Sequence, residues 1–210
     1  NATISAINGT DTAITYSTGN GKYGQGAGFN GTTSLIEFNR QTTIEFTADI
    51  SVNAWFKTTG TGAEVIACNW FGNGLAQYWG WQIVLNYSEA AGSINIRTGT
   101  STGENTVITS NAGGYNDGLL HMATFVKNGS TMTLYVDGIA QTPTVTFATL
   151  VYDTTVKFRF GKGNHENASQ DYFNSGAVDD IDIFNRALEA AEIQKLYQAG
   201  GFLSTNSKFW

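Results

Sequence analysis

Leu120-His121-Met122-Ala123-Thr124-Phe125-Val126 is followed directly by Lys127-Asn128-Gly129-Ser130, then by Thr131-Met132-Thr133-Leu134-Tyr135-Val136 and Asp137-Gly138. The outer runs are rich in β-branched and aromatic residues, which suit a pleated, half-buried surface. Asn128-Gly129 supplies the positive φ angles that a tight hairpin needs, and Asp137-Gly138 repeats that signal before Ile139-Ala140-Gln141. The stretch therefore predicts an antiparallel hairpin with a third short strand behind it.

The same pattern extends in both directions. Residues 43–57 alternate around Ile44, Phe46, Ile50, Val52, Ala54 and Phe56. Trp81, Ile83, Leu85 and Tyr87 alternate with Gln82, Val84 and Asn86, and Gly92 turns the chain into Ser93–Arg97. Such alternation marks strands with two unlike faces. Further strands are expected at 144–147, 156–160 and 177–184. One helix is expected near 189–198, where Ala190, Ile193 and Tyr197 form an apolar stripe. Glu189 and Glu192 stand in its first turn, where the helix dipole favours negative charge, and Gly200 marks its stop. No repeat, linker or composition shift divides the chain, so residues 1–210 are expected to form one domain. One sheet cannot bury both of its faces, so the expected architecture is all-β: an antiparallel jelly-roll β-sandwich of two sheets with one short C-terminal helix.

Only 13% of the 210 residues are charged, but 13 Phe, 9 Tyr and 5 Trp argue for a packed core rather than disorder. The net charge of −6, with eleven dispersed basic residues, argues against nucleic-acid binding, which depends on clustered Lys and Arg. No apolar run approaches the ~20 residues of a membrane helix, so no membrane insertion is expected. Cys68 is the sole cysteine and cannot form an internal disulfide; within Val65-Ile66-Ala67-Cys68 it reads as a buried strand residue.

The hairpin Leu119–Val136 with Asp137-Gly138 resembles the laminin-G-like/concanavalin A-like lectin superfamily, whose frequent pattern is a Trp-His-His-Val-Ala strand, a glycine turn and Leu-Tyr-Val-Asp-Gly. Three other segments agree in order. Gly21-Lys22-Tyr23-Gly24-Gln25-Gly26-Ala27-Gly28-Phe29-Asn30-Gly31 looks like the opening strand, and Trp79-Gly80-Trp81-Gln82-Ile83 like the central one. Val178–Leu188 with Glu192-Ile193 looks like the closing strand and helix. The likeness spans about residues 14–199. It departs from the pattern at Leu119-Leu120, where Trp-His is usual, and at Glu189, where Ser or Thr usually caps the helix. The family includes lectins, adhesion domains, glycanases and lyases, so fold alone does not assign function.

The resemblance implies a calcium ion, with Asp179 as its side-chain ligand and backbone carbonyls near the opening strand, around Gly28 and Asn30, as partners. No Glu-x-Asp-x-x-Glu pattern, by which this family's retaining glucanases place two carboxylates on one strand face, is present, so no catalytic residues and no enzyme are expected. Sugar recognition calls for an aromatic platform with polar groups that fix orientation. Two loops carry that mixture: Asn69–Trp79, with Trp70, Asn73, Tyr78 and Trp79, and Gly163–Phe173, with His165, Glu166 and Asp171. The expected function is non-catalytic carbohydrate binding, with a glycan or glycosylated surface as partner, by a module of a larger secreted, cell-surface or viral-fibre protein. Its expected location is extracellular, on a cell surface or on a virion. The alternative is a protein-binding adhesion or assembly module, a homo-oligomer joined through the apolar C-terminal tail Lys208-Phe209-Trp210.

Overall fold

The computed structural model describes residues 9–73, 75, 77–87, 90–142, 144–146, 149–166, 172 and 174–199, together with the backbone of 208–209. Its strands are β1 (Thr10–Thr12), β2 (Thr15–Ser17), β3 (Gly26–Gly28), β4 (Leu35–Phe38), β5 (Ile50–Lys57), β6 (Glu64–Gly72), β7 (Tyr78–Leu85) and β8 (Ile94–Thr100). They continue as β9 (Glu104–Thr109), β10 (His121–Asn128), β11 (Thr131–Val136), β12 (Ile139–Ala140), β13 (Val145–Thr146), β14 (Lys157–Phe160), β15 (Ala177–Phe184) and β16 (Lys208–Phe209). The helix α1 spans Ala190–Ala199. One sheet runs β1-β4-β14-β6-β7-β8-β9; the other runs β12-β11-β10-β5-β15-β3-β2, with β13 on β11 and β16 on β15. Non-consecutive strands lie side by side in both sheets, so two-layer packing depends on long-range pairing.

The inner faces of the two sheets meet in one apolar core. Phe38, Trp81, Phe125, Phe158 and Phe160 lie at its centre. Phe38 stands 5.1 Å from Phe158, and Phe125 stands 5.3 Å from Trp81, ring centroid to ring centroid. A second cluster covers the outer face of β5, β10 and β15, where Ile193 and Leu196 of α1 cap Trp55, Met122 and Phe184. Tyr197 stacks on Trp55 at 5.6 Å. This helix docks because its apolar stripe meets an apolar sheet face. The absent Ser/Thr cap is replaced from within the helix: Glu192 accepts the Glu189 backbone N–H at 2.9 Å, half of a capping box. Arg186 binds the same carboxylate at 2.7 Å.

The hairpin pairs Ala123 with Val136 through Asn128 with Thr131. Of its Asn-Gly pair only Gly129 takes positive φ; Asn128 is the last ladder residue. Asp137 and Gly138 both take positive φ, +50° and +79°, as a type I′ turn requires. His121 links this region, facing Asp137 at 2.8 Å through Nδ1 and Asp117 at 3.2 Å through Nε2. Two expectations need correction. The alternation at 43–57 is a strand only from Ile50; Thr42–Ile44 is a short 3₁₀ turn that buries Ile44, so an apolar spacing of two there came from a turn. The opening segment Gly21–Gly31 is mostly loop, with only Gly26–Gly28 in β3. The described part of the C-terminal tail adds β16 to β15 of its own chain, opposite Ile181 and Asp182; Trp210 and Gly200 lie outside the described residues. Among the described residues no helix is long and apolar enough to cross a membrane.

Candidate functional site

The two loops expected to carry a site come together, but as structure. Residues after β14 stay beside β6, and the Lys162 carbonyl crosses to accept the Cys68 thiol at 3.5 Å. Gly161 donates its N–H to the Ile66 carbonyl at 3.1 Å, Asn164 Nδ2 donates to the Trp70 carbonyl at 2.9 Å, and Glu166 N–H donates to the Gly72 carbonyl at 2.8 Å. Beside this segment Trp70 is 1% exposed, stacked on Tyr78 at 5.4 Å and joined to Val65, Cys68 and Val84. Arg97 places its guanidinium 3.8 Å from the Tyr87 ring centroid and 5.2 Å from that of Trp70. Trp70 is therefore core, and the expectation that it forms a sugar platform is overturned by its burial. Asn73 is half-buried and bonds within its own loop: its Oδ1 accepts the N–H groups of Leu75 and Gln77, at 3.0 and 3.2 Å, which fixes the β6–β7 connection. The His165 ring fills the space over Gly72, where an added Cβ would lie 2.3 Å from its Cδ2. Tyr78 and Trp79 stay half-buried, with Trp79 stacked on Phe71 at 5.6 Å, and Glu166 is exposed. Asp171 lies outside the described residues.

The residues expected to surround calcium are dispersed among other duties. Asp179 Oδ2 accepts the Lys22 backbone N–H at 2.7 Å. Asn30 Oδ1 accepts the N–H groups of Thr32, Thr33 and Ser34 at 2.9–3.1 Å, so its oxygen organises a turn. Gly28 lies inside the sheet, opposite Thr15 of β2 on one side and Ala177 of β15 on the other. Calcium requires six to eight converging oxygens. Among the described residues, no group of three or more His, Cys, Asp or Glu side chains gathers as a metal site. Of this set Asp179 is the expected side-chain ligand, and one of its oxygens holds the Lys22 N–H.

The structure instead opens a cavity at the sandwich edge. It has a volume of ≈ 340 Å³. Ile36 and Phe160 line it from one sheet, and Ala27, Val178 and Ile181 from the other; Tyr16, Tyr23, Gln25, Asp179 and Asp180 supply polar groups. Its mouth has a local cause. β3 pairs with Ala177 and Val178, β16 pairs with Ile181 and Asp182, and a bulge falls between them with Asp180 at φ +41°. A bulge bends a strand and interrupts its pairing. The β2–β3 connection is held by Asp179 through Lys22 N–H and by Lys57 Nζ, which donates to the Gly19 carbonyl. Gly21 is required there, because a Cβ would lie 2.9 Å from Asp179 Oδ2. The pinned loop presents Tyr23, which is 50% exposed, and Tyr16 on β2 is 45% exposed. Tyr16 donates its hydroxyl to Asp11 Oδ2 at 2.5 Å; burial, then this acceptor, push its pKa up to about 12. Tyr16, Tyr23 and Gln25 did not stand out in the sequence as site residues. The available signal was an aromatic between glycines, Gly21-Lys22-Tyr23-Gly24, a pattern that a buried strand does not favour.

The family model described as the concanavalin A-like lectin/glucanases superfamily matches residues 30–194. No curated protein sequence matches the chain significantly. Several solved structures share its fold. Domain 4 of AbnA, a GH43 extracellular arabinanase from Geobacillus stearothermophilus solved in complex with arabinotriose, aligns with TM-score 0.67 at 20% identity, over 90% of this chain and 88% of that one. The binding domain of Paraclostridial Mosquitocidal Protein 1 aligns with TM-score 0.69 at 16% identity, over 92% of this chain and 48% of that one. The binding domain of Botulinum Neurotoxin DC in complex with SialylT aligns with TM-score 0.63 at 13% identity, over 93% and 48%. The chain thus spans about half the length of those toxin domains.

Proposed function

This chain belongs to the concanavalin A-like lectin/glucanase superfamily, and we propose that it is a non-catalytic carbohydrate-binding module whose site is the cavity between Tyr16 and Tyr23. The observation that carries the proposal is the pair of half-exposed tyrosines beside an apolar floor with an amide and carboxylates. A sugar ring presents flat C–H faces and outward hydroxyls, so rings and apolar floor take the first while Gln25 and the acidic groups take the second. Domain 4 of AbnA, matched over 88% of its length and solved in complex with arabinotriose, supports the class of ligand. An extracellular location follows from the same reading. Because the residues implied for calcium are held in turn, ladder and loop contacts, no step of binding is assigned to the ion.

A glycan array with wild-type protein, Tyr23→Ala and Trp79→Ala, each with calcium and with chelator, tests this. The expected result is a defined set of bound saccharides, a loss of at least about tenfold with Tyr23→Ala, little change with Trp79→Ala, and the same pattern under chelator. Binding lost with Trp79→Ala alone would move the site to the β6–β7 tip. Silence towards all glycans, with a dimeric mass in solution, would favour the assembly alternative. New reducing ends released from a polysaccharide, and abolished by one carboxylate substitution, would make the protein an enzyme.

A further inference from the structure

We infer that the cavity selects saccharides by a methyl group, taking a terminal sugar with a 6-deoxy or an N-acetyl methyl more tightly than its hydroxyl-bearing counterpart. This rests on the carbohydrate-binding reading above. The lining is divided by depth. Ala27, Ile36, Phe160, Val178 and Ile181 are all buried, whereas Tyr16, Tyr23, Gly24 and Gln25 are exposed and Asp179 and Asp180 are half-buried. Apolar side chains therefore form the floor, and the polar side chains of the lining stand nearer the mouth. The floor lies where the two sheets part. Ile36 of β4 and Phe160 of β14 belong to one sheet, and Ala27 of β3 with Val178 and Ile181 of β15 to the other.

The backbone of the floor offers a ligand no more than its side chains do. Ile36 is paired with Asp11 on one side and Phe160 on the other, and Phe160 is paired in turn with Ala67. Ala27 lies between Tyr16 and Val178, Val178 between Ala27 and Phe56, and Ile181 opposite Phe209. Ladder pairing directs N–H and C=O groups along the sheets, not across the gap between them. A hydroxyl pressed onto this floor would leave water without gaining a partner, which is costly. A methyl there gives up no hydrogen bond and gains apolar contact. The remaining hydroxyls stay at the mouth, within reach of water and the Gln25 amide, while the rings of Tyr16 and Tyr23 meet C–H faces. In an apolar pocket one methylene is worth about 10- to 200-fold, and an added hydroxyl is rejected about a hundredfold. At ≈ 340 Å³ the cavity lies at the small end of ligand pockets, which run from about 300 to 1,000 Å³, so it suits one terminal residue of a glycan.

The test is a glycan array of matched ends, L-fucose against L-galactose and N-acetylglucosamine against glucose, followed by titration calorimetry of the tighter pair. The methyl-bearing member is expected to bind at least about tenfold more tightly, with the more negative heat-capacity change that apolar burial brings. A preference in the fucose pair alone assigns the floor to the deoxy methyl, and one in the N-acetyl pair alone assigns it to the acetyl methyl. Val178→Thr changes the chemistry of the floor more than its volume and is expected to narrow the ratio; thermal unfolding checks that this variant is folded. Gln25→Ala, at the exposed rim, is expected to weaken both members alike and to keep the ratio. Hydroxyl-bearing members bound as tightly or more tightly in both pairs would overturn this inference and leave the carbohydrate-binding reading intact. So would a ratio lost with Gln25→Ala and kept with folded Val178→Thr. Absence of binding to any saccharide would overturn both.

Discussion

Two aromatic regions of this molecule have opposite fates. The segment Asn69–Trp79 is dense in rings, yet Trp70 is 1% exposed and lies beside a polar loop held against β6. The connection around Gly21–Gln25 carries one ring, Tyr23, and exposes half of it beside a cavity. The difference lies in what each backbone does next. Asn164 and Glu166 satisfy the Trp70 and Gly72 carbonyls and the Lys162 carbonyl meets the Cys68 thiol, so the 161–166 segment lies against β6 beside the buried Trp70. The β2–β3 connection is pinned by Asp179, and β15 carries a bulge between Asp179 and Asp182. Aromatic density therefore reports apolar area to be buried, while the pairing of backbone groups decides which ring remains available to a ligand.

The sharpest way to break this comparison is a pair of truncations. Trp70→Ala should lower stability by about 3–5 kcal/mol in urea unfolding, the range for deleting a large buried ring. Tyr23→Ala should change stability by no more than about 0.5 kcal/mol, as surface substitutions do, while removing glycan binding. Equal stability losses would erase the distinction between covered and open regions.

A smaller effect addresses the 161–166 segment itself. Gly72→Ala brings a Cβ to 2.3 Å from His165 Cδ2 and 3.0 Å from Tyr78 Cδ1. Overpacking of this kind should cost about 1–3 kcal/mol. The prediction is faster proteolysis within 161–166 than in wild type at unchanged cavity binding. Loss of glycan binding in this variant would show that the two regions are coupled.

The smallest effects set the pH at which the comparison is fair. Glu192 has its pKa lowered to about 2, first by the Arg186 hydrogen bond and then by the Glu189 N–H. Its contribution is present above its ordinary 4.5 and is lost as pH falls towards about 2. His121 has its pKa raised, first by its hydrogen bond with Asp137. Its contribution is complete below its ordinary 6.5 and is lost as pH rises through the higher folded value. Both devices are intact between 4.5 and 6.5, so thermal stability should be greatest there, by up to about 1 kcal/mol for each partly exposed pair. Glu192→Gln should flatten the acid limb and His121→Gln the basic limb. Binding that changes inside the window would reflect the cavity rather than the fold.

Much of the architecture was legible in the residues. The β10–β11 hairpin, β15 at Ala177–Phe184 and α1 all follow from local periodicity, and local periodicity reflects which face is buried. Segment 43–49 misled because an apolar spacing of two can also arise in a turn that buries Ile44. Trp70 misled because a ring beside a loop looks the same in sequence whether it faces solvent or the protein interior. Tyr16 and Tyr23 escaped notice because their significance depends on Ile36, Phe160 and Val178, which are remote in sequence.

The amino-acid sequence by itself determined that this chain is an acidic, all-β sandwich with one amphipathic helix, since alternation, turn glycines and composition act over a few residues at a time. Tertiary structure alone decided where the proposed ligand site lies. That place depends on the bulge in β15, the division of its edge between β3 and β16, and the loop held against β6, and each of these is a long-range backbone pairing that no local pattern encodes.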